Sequence, residues 1–230
     1  MNTTFCQLQI PLPEGMQHIT VVQYDSKTFQ PEDLMILPHR AALQRAVPIR
    51  CAEHLAGRLA ARQALLLLGG TAPFPAIGRH RQPLWPAGII GSISHTRQRA
   101  LATVAKSSGS MAGLGIDLEP QLSSQQAHEI ADTVMQNLER EIASNSGLPF
   151  EQAVTLVFSA KESLFKALFA HVGDWFDFSA AVITDISPGS QRFTLRLAQA
   201  LTPELPAGMA FSGHWRDMHG DIMTLLRFDL

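Results

Sequence analysis

Two acids spaced one residue apart, Asp117 and Glu119, close an apolar run that contains two glycines, residues 113–120. Successive side chains of a β-strand point to opposite faces, so these acids should share one face about 7 Å apart, with Leu118 in the core. Like charges on one face repel unless a positive charge lies near them, and a hard divalent cation would supply it. A strand end with two solvated acids before a proline turn is the simpler interpretation.

A third acid, Glu162, precedes Lys166 by four residues in a segment predicted to be helical, so both side chains should share one helix face. Two structural interpretations remain open. Ser159 and Glu162 fit a capping box, and Glu162 with Lys166 fits a surface ion pair worth about 0.3–0.5 kcal/mol. Apolar neighbours favour a helix face that meets another part of the fold instead; they are Phe158, Leu164, Phe165 and Leu168.

The three carboxylates together suit Mg²⁺, which prefers oxygen ligands and retains water and substrate phosphate. Lys166, His95 and an arginine such as Arg81 would supply positive charge for phosphate oxygens. A lone histidine after an apolar strand is usually structural, but the hydroxyls of Ser94 and Thr96 flank His95 at a strand end. The combination indicates chemistry at a diphosphate, in which cations neutralise charge and a carboxylate receives a proton.

Further basic residues lie upstream of these motifs. Arg40, Arg45 and Arg50 recur every five residues, and residues 78–81 place two arginines and a histidine in one loop. Either group suits an anionic ligand such as phosphate. Either group also fits an ordinary solvated basic surface, which is the more common situation for any single arginine.

The elements that must position these residues form an α+β pattern. Hydrophobic spacing predicts helices at residues 31–37, 51–68, 125–143 and 151–169. Alternation and β-branched residues predict strands at 18–24, 89–96, 99–105, 111–118, 178–186, 192–198, 209–215 and 222–228. Four prolines predict a loop at 71–86.

Composition narrows the class of protein. With 230 residues, 46% of them hydrophobic, the chain can bury one large core or two small ones. A net charge of −2 argues against nucleic acid and acidic membranes as partners. Cys6 and Cys51 are too few for a disulfide framework. No signal-peptide pattern is visible and the longest apolar run, residues 64–68, is too short to cross a bilayer, so we expect a soluble cytoplasmic monomer.

Residues 115–119 and 158–166 resemble the two signature motifs of the 4′-phosphopantetheinyl transferases, and residues 93–96 resemble the histidine motif of the long, two-lobed members. Residues 52–58, 81–86 and 91–95 are most similar to the branch that serves enterobactin-type siderophore synthases. Ser92 stands where many long members have Asn, as it does in that branch. Residues 81–83 read Arg-Gln-Pro where relatives often have Gly-Lys-Pro, so the lysine assigned to coenzyme A is replaced.

The resemblance implies transfer of the 4′-phosphopantetheine arm of coenzyme A to a serine of an apo carrier protein, with release of 3′,5′-ADP. The expected acceptors are aryl or peptidyl carrier domains of a siderophore synthetase. Asp117, Glu119 and Glu162 would bind Mg²⁺, and Glu162 would also be the general base, directly or through water. Lys166 and His95 would contact the phosphates.

Other coenzyme A ligands follow from the same resemblance. Asp117 would also face the cofactor, Ser94 would lie at the nucleotide end, and Lys161, which points about 100° away from Glu162 on the helix, would reach a phosphate from another side. Arg81 takes the role of the replaced lysine, and Arg40 is a candidate for the 3′-phosphate.

The implied fold has two similar α+β lobes in a pseudo-twofold arrangement with coenzyme A between them. We place the lobes at residues 1–112 and 113–230. The first would carry His95 and the second the acids. Peripheral association with a synthase assembly at the membrane is left open, because no sequence element drives it.

Two alternatives use the same residues. One is a Mg²⁺-dependent phosphohydrolase with water as the nucleophile, which needs no protein acceptor. The other is a non-catalytic scaffold that binds coenzyme A and carrier proteins. The presence of both Glu162 and Lys166 favours the transferase over the scaffold.

Overall fold

The structure, a computed structural model, describes residues 1–69, 71–109 and 111–229. The chain divides into two compact units, Met1–Ser108 and Gly109–Leu230. Each unit contains an antiparallel sheet and at least one long helix, so the α+β prediction is confirmed. The boundary predicted at residue 112 falls on the first residue of a strand in the second unit.

The first unit has a four-stranded antiparallel sheet and one long helix, α1 (Pro48–Leu67). Its strands are β1 (Thr3–Leu12), β2 (Gly15–Tyr24), β5 (Ile89–His95) and β6 (Arg99–Lys106), in the order β1-β2-β6-β5. Two short strands, β3 (Ala76–Ile77) and β4 (Pro83–Leu84), pair with each other within the segment predicted to be a loop.

Small residues allow α1 to lie close to this sheet. Ala52, Ala56 and Ala60 are fully buried against it. A Cβ on Gly57 would lie only 2.9 Å from Cγ2 of Ile93 on β5. This close packing brings the first turns of α1 to the end of β5 where His95 lies.

The second unit is a five-stranded antiparallel sheet with three α-helices in its described part. The strands are β7 (Ala112–Pro120), β8 (Ala181–Ser187), β9 (Arg192–Leu197), β10 (Ala210–Asp217) and β11 (Asp221–Asp229), in the order β7-β11-β10-β9-β8. The helices are α2 (Ser124–Val134), α3 (Asn137–Asn145) and α4 (Phe150–Val172).

Two glycines of β7 explain why α4 packs so closely against this strand. A Cβ on Gly115 would lie 1.9 Å from the carbonyl oxygen of Ser163 and 2.9 Å from the amide nitrogen of Ala167. A Cβ on Gly113 would lie 2.5 Å from the carbonyl oxygen of Ala167. Only glycine leaves room for the helix backbone here, so the glycine pattern of the motif sets the distance between β7 and α4.

Several elements differ from their predicted form. The helix predicted at 125–143 is two helices, because Met135 is extended and Gln136 starts α3 with a capping box to Glu139. The helix predicted at 31–37 is a 3₁₀ helix, Pro31–Ile36. Strand β1 was missed, since it is largely exposed and has no clean alternation of apolar residues. In the described ranges, we find no helix with the length and apolarity needed to cross a bilayer.

Candidate active site

Asp117 is the centre of the acidic site in the second unit. Its carboxylate is almost completely buried, with 1% of the residue exposed. Its Oδ1 accepts a hydrogen bond from Nζ of Lys166 at 2.6 Å, and its Oδ2 accepts one from Oγ of Ser159 at 2.8 Å. Both donors come from α4, which the glycines of β7 allow to approach. The two oxygens of one carboxylate are thus held by two residues of the same helix.

Glu119 and Glu162 are half-buried, and both have raised pKa values. Burial, and then the charge on Asp117, raises the pKa of Glu119 to about 8, against the opposing effect of Lys166. Burial also raises the pKa of Glu162, again opposed by Lys166. Glu162 and Asp221 at the start of β11 raise the pKa of Glu119 further. The site therefore has a deficit of positive charge, and Asp221 is a member that the sequence analysis missed.

The donor chemistry of this site fits a hard divalent cation, because Asp117 raises the pKa values of both half-buried glutamates, Glu119 and Glu162. Within residues 1–69, 71–109 and 111–229, however, no group of three His, Cys, Asp or Glu side chains stands in a metal-binding arrangement. Lys166 occupies one oxygen of Asp117 and Ser159 the other. Each carboxylate oxygen has a second lone pair, so Asp117 could bind a cation beside these donors, but a cation at Oδ1 would face the ammonium of Lys166.

Both structural interpretations of the α4 motif are corrected by the structure. Ser159 lies inside α4 and its hydroxyl donates to Asp117, so Ser159 and Glu162 do not form a capping box. Lys166 donates to Asp117 and to the carbonyl oxygen of Ile116, at 2.6 and 3.2 Å. It is anchored to β7 rather than forming an isolated surface pair with Glu162.

Lys161 is enclosed by the second unit, with 4% of the residue exposed. Its ammonium donates to the carbonyl oxygens of Val134 and Phe178 at 2.7 and 3.0 Å, and it lies 2.8 Å from Oε1 of the fully buried Glu139. Glu139 also accepts from the amide of Ile183 at 2.7 Å. This geometry disagrees with the expectation that Lys161 reaches a phosphate, because its ammonium already has a carboxylate and two carbonyls around it.

An apolar pocket lies beside Glu162, between α4 and the chain that follows it. Aromatic residues form much of its wall: Phe165, Trp175, Phe176 and Phe178. Trp175 is 70% exposed, although a large aromatic ring is normally buried. Sequence analysis missed this pocket, and the only signal for it was the aromatic run directly after Gly173.

In the first unit, His95 is held by the start of α1. Nε2 of His95 lies 2.8 Å from NH1 of Arg50, and Nδ1 lies 3.9 Å from Oε2 of Glu53, which Arg50 also contacts at 3.2 Å. Arginine is only a donor, so Nε2 must be the acceptor and the imidazole proton must be on Nδ1, on the side of Glu53. Arg50 is thus part of the His95 site, a role that its regular spacing had only suggested.

Further basic groups lie in the first unit. Nε2 of His39 is 2.9 Å from Nε2 of His54, and burial, followed by the charge on Arg58, lowers the pKa of His54 to about 3. Burial lowers the pKa of Arg58 to about 10. In the described part of the chain, Nδ1 of His39 and Nε of Arg58 are buried with no hydrogen-bond partner. The charge on Arg50 and on His95 also lowers the pKa of His54, so these groups share one electrostatic environment.

Three other predicted coenzyme A ligands, Ser94, Arg40 and Arg81, lie outside the group formed by His95, Arg50 and Glu53. Ser94 is buried and, by strand alternation, points to the face of β5 opposite His95. Arg40 is exposed in a 3₁₀ turn, Arg40–Leu43. Arg81 is exposed with φ = 67°, a conformation that favours glycine, which is the residue that related proteins often have there. The side chain of Gln82 folds back to accept from the amide of His80 at 2.9 Å.

Comparison with known proteins agrees with this arrangement. A model of the 4′-phosphopantetheinyl transferase N-terminal domain matches residues 38–105, and a model of the 4′-phosphopantetheinyl transferase superfamily matches residues 113–210. The chain is 38% identical to enterobactin synthase component D of Salmonella typhi, over 94% of this chain and 88% of that protein.

Other relatives extend the comparison. Identity is 46% with enterobactin synthase component D of Escherichia coli (strain K12), over 68% of this chain and 73% of that protein. Identity is 35% with the 4′-phosphopantetheinyl transferase Svp of Streptomyces mobaraensis, over 84% of this chain and 78% of that protein. These matches confirm the resemblance noted at the motifs. The chain belongs to the 4′-phosphopantetheinyl transferase superfamily and is an enzyme of that class.

Proposed function

We propose that this transferase modifies apo carrier domains of a siderophore synthetase, and that it requires Mg²⁺ to do so. The observation that carries the proposal is the group of three carboxylates on β7 and α4 that share the single ammonium of Lys166. The names of the relatives, enterobactin synthase component D, support a siderophore synthetase as the source of the acceptor. Aryl and peptidyl carrier domains are therefore the first acceptors to test.

Glu162 is the proposed general base toward the acceptor serine, directly or through one water molecule. Its pKa is raised by burial and by Asp117, and a raised pKa makes a carboxylate a better proton acceptor near neutral pH. Its position in the lining of an open pocket leaves the carboxylate accessible to a substrate. General-base catalysis of this kind contributes about 10²–10⁴-fold to a rate.

Asp117, Glu119 and Glu162 are the residues that would hold Mg²⁺. When bound, the cation would neutralise charge that develops on the diphosphate. Lys166 is the proposed phosphate ligand of the second unit, since its side chain is 26% exposed and its ammonium could exchange its contacts with Asp117 and Ile116 for a phosphate oxygen.

His95 and Arg50 are the proposed phosphate ligands of the first unit. Nε2 of His95 accepts from NH1 of Arg50 here, so a phosphate oxygen could accept from the other guanidinium N–H groups of Arg50 and from Nδ1–H of the imidazole. Arg40, Arg81 and Ser94 stay as predicted ligands of coenzyme A. Lys161 is not included, because its ammonium is enclosed by Glu139 and two carbonyls.

The aromatic pocket beside Glu162 suits the pantetheine arm, which combines a dimethyl-substituted carbon with two amides. Burial of apolar surface stabilises such a complex by about 25 cal/mol per Å². Phe165, Phe176 and Phe178 supply this surface next to the proposed base. The location in the cytoplasm and the monomeric state remain predictions.

The test is intact-mass spectrometry of an apo aryl carrier domain mixed with this protein, coenzyme A and Mg²⁺. We expect a mass gain of one phosphopantetheine group that is lost on addition of a chelator. Glu162→Gln should lower the rate at least about 100-fold with coenzyme A still bound. Glu141→Gln, at an exposed site on α3, is the matched control. Unmodified carriers with hydrolysed coenzyme A would instead support the phosphohydrolase, and bound but intact coenzyme A would support the scaffold.

A further inference from the structure

We infer that three buried hydroxyls, those of Ser163, Thr224 and Ser159, form a hydrogen-bonded chain that positions the Asp117 carboxylate for transfer. The inference rests on the proposed function, because Asp117 has its catalytic role only there. Ser159 and Thr224 do not face a substrate in this arrangement. They act through Asp117 and are positioning residues.

Distances link the three hydroxyls in order. Oγ of Ser163 lies 2.6 Å from Oγ1 of Thr224, which lies 2.9 Å from Oγ of Ser159. Oγ of Ser159 in turn lies 2.8 Å from Oδ2 of Asp117. All three hydroxyl residues are fully buried, at 0% exposure. The chain therefore runs through the interior of the second unit and ends on the carboxylate.

Counting hydrogens fixes the donor at the end of the chain. An ionised carboxylate only accepts, so the single hydroxyl hydrogen of Ser159 must go to Asp117. Oγ of Ser159 can then only accept from Thr224, whose hydrogen points to Oγ or to the carbonyl oxygen of Ser159, 2.8 Å away. Oγ of Ser163 donates to Oγ1 of Thr224 or to its carbonyl oxygen at 3.1 Å. The hydrogen of Ser159 is thus fixed on Asp117, whereas the hydrogens of Thr224 and Ser163 each have a hydroxyl oxygen and a carbonyl oxygen as acceptors within reach.

The fold sets this arrangement through three elements. Thr224 on β11 is the direct cross-strand partner of Asp117 on β7. Ser159 and Ser163 are four residues apart on α4, so they lie on one helix face. This face packs against β7, where the two glycines leave room for the helix. Ser159 fixes Oδ2 of Asp117 and leaves Oδ1 facing Lys166. Without the hydroxyl of Ser159, Oδ2 would lose the hydrogen bond that distinguishes it from Oδ1.

A purely structural explanation would be that these hydroxyls only satisfy one another inside the core. The two explanations differ in what happens when one hydroxyl is removed without loss of volume. Thr224→Val keeps the shape and removes the hydroxyl, whereas Thr224→Ser keeps the hydroxyl and removes a methyl. Thr155→Val is the matched control, because Thr155 is also fully buried on α4 but bonds to Leu122 and Glu151 instead of Asp117.

The experiment measures kcat and KM for coenzyme A, together with Mn²⁺ affinity by electron paramagnetic resonance without substrates. For Ser159→Ala and Thr224→Val we expect a loss of about 10–100-fold in kcat and a weaker affinity for Mn²⁺, with KM for coenzyme A within about twofold. Thr224→Ser and Thr155→Val should stay near the wild-type values in both measurements. Circular dichroism verifies that each variant is folded.

Two results would overturn the inference while the wild-type chain still transfers phosphopantetheine. In one, folded Ser159→Ala and Thr224→Val match the wild-type kcat and Mn²⁺ affinity. In the other, Thr155→Val or Thr224→Ser loses as much kcat and Mn²⁺ affinity as Ser159→Ala and Thr224→Val, which would show that core packing is responsible. A wild-type chain that transfers nothing refutes the proposed function itself, and the positioning role would fall with it.

Discussion

Gly115→Ala should separate α4 from β7 and slow the enzyme. The new Cβ would lie 1.9 Å from the carbonyl oxygen of Ser163, whereas real Cβ contacts essentially never fall below 3.0 Å. Helix and strand must therefore move apart by at least 1.1 Å, the difference of these two values. The obstacle is backbone, which cannot rotate away as a side chain could. A shift of this size would stretch the hydrogen bonds from Ser159 and Lys166 to Asp117.

The magnitude follows from the packing. Overpacking a core costs about 1–3 kcal/mol, and a rigid backbone obstacle places Gly115→Ala at about 3 kcal/mol. For a chain of this size that corresponds to a fall in Tm of about 6–12 °C. A displacement of about 1 Å at catalytic groups can lower a rate about 100-fold.

Scanning calorimetry and the mass-based transfer assay measure the two effects. Gly189→Ala is the control, because a Cβ there meets no atom within 4 Å and its φ lies outside the left-handed region. The reasoning is refuted if Gly115→Ala melts and transfers phosphopantetheine like Gly189→Ala. It is refuted in part if stability falls but the rate does not, since the spacing of α4 would then have no effect on Asp117.

Two further predictions concern buried charge. Lys161→Met should lower the free energy of unfolding in urea by about 3–5 kcal/mol, because it leaves Glu139 buried without its cation. If the stability is unchanged and coenzyme A binds more weakly, Lys161 is a phosphate ligand after all. His54 has a folded pKa of about 3 against an ordinary 6.5, so the unfolded state binds more protons between these values and stability should fall as the pH drops through this window. The slope should be smaller in His54→Gln than in wild type, while exposed His128→Gln keeps it.

Sequence patterns predicted which side chains share a face of one strand or one helix. Strand alternation placed Asp117 and Glu119 on one face of β7, and helical spacing placed Ser159, Glu162 and Lys166 near one another on α4. Both statements need only the period of each element, 2.0 and 3.6 residues. The same patterns could not identify partners from other elements. The contact of Lys161 with Glu139 joins residues 22 positions apart, and that of Ser159 with Asp117 spans 42.

The sequence analysis assigned Lys161 and Lys166 alike to phosphate, and the structure separates them by their surroundings. Lys161 is 4% exposed, and Lys166 keeps a side chain that is 26% exposed. Periodicity gives the direction in which a side chain leaves the helix, but not what covers it. Lys161 points toward α3, where Glu139 lies, and its ammonium also donates to the carbonyl oxygens of Val134, at the end of α2, and of Phe178.

Lys166 faces a site whose charge it cannot balance alone. One ammonium stands against Asp117, Glu119 and Glu162, and the pKa values of both glutamates stay raised in spite of it. A second source of positive charge would lower those pKa values and would compete with Lys166 for Oδ1 of Asp117. We therefore expect the lysine and a divalent cation to act in sequence at that oxygen, with Lys166 holding the carboxylate until the cation and a phosphate arrive. On this argument Lys166→Met should raise the affinity for Mn²⁺ in the absence of coenzyme A, and a lower affinity in that variant would contradict it.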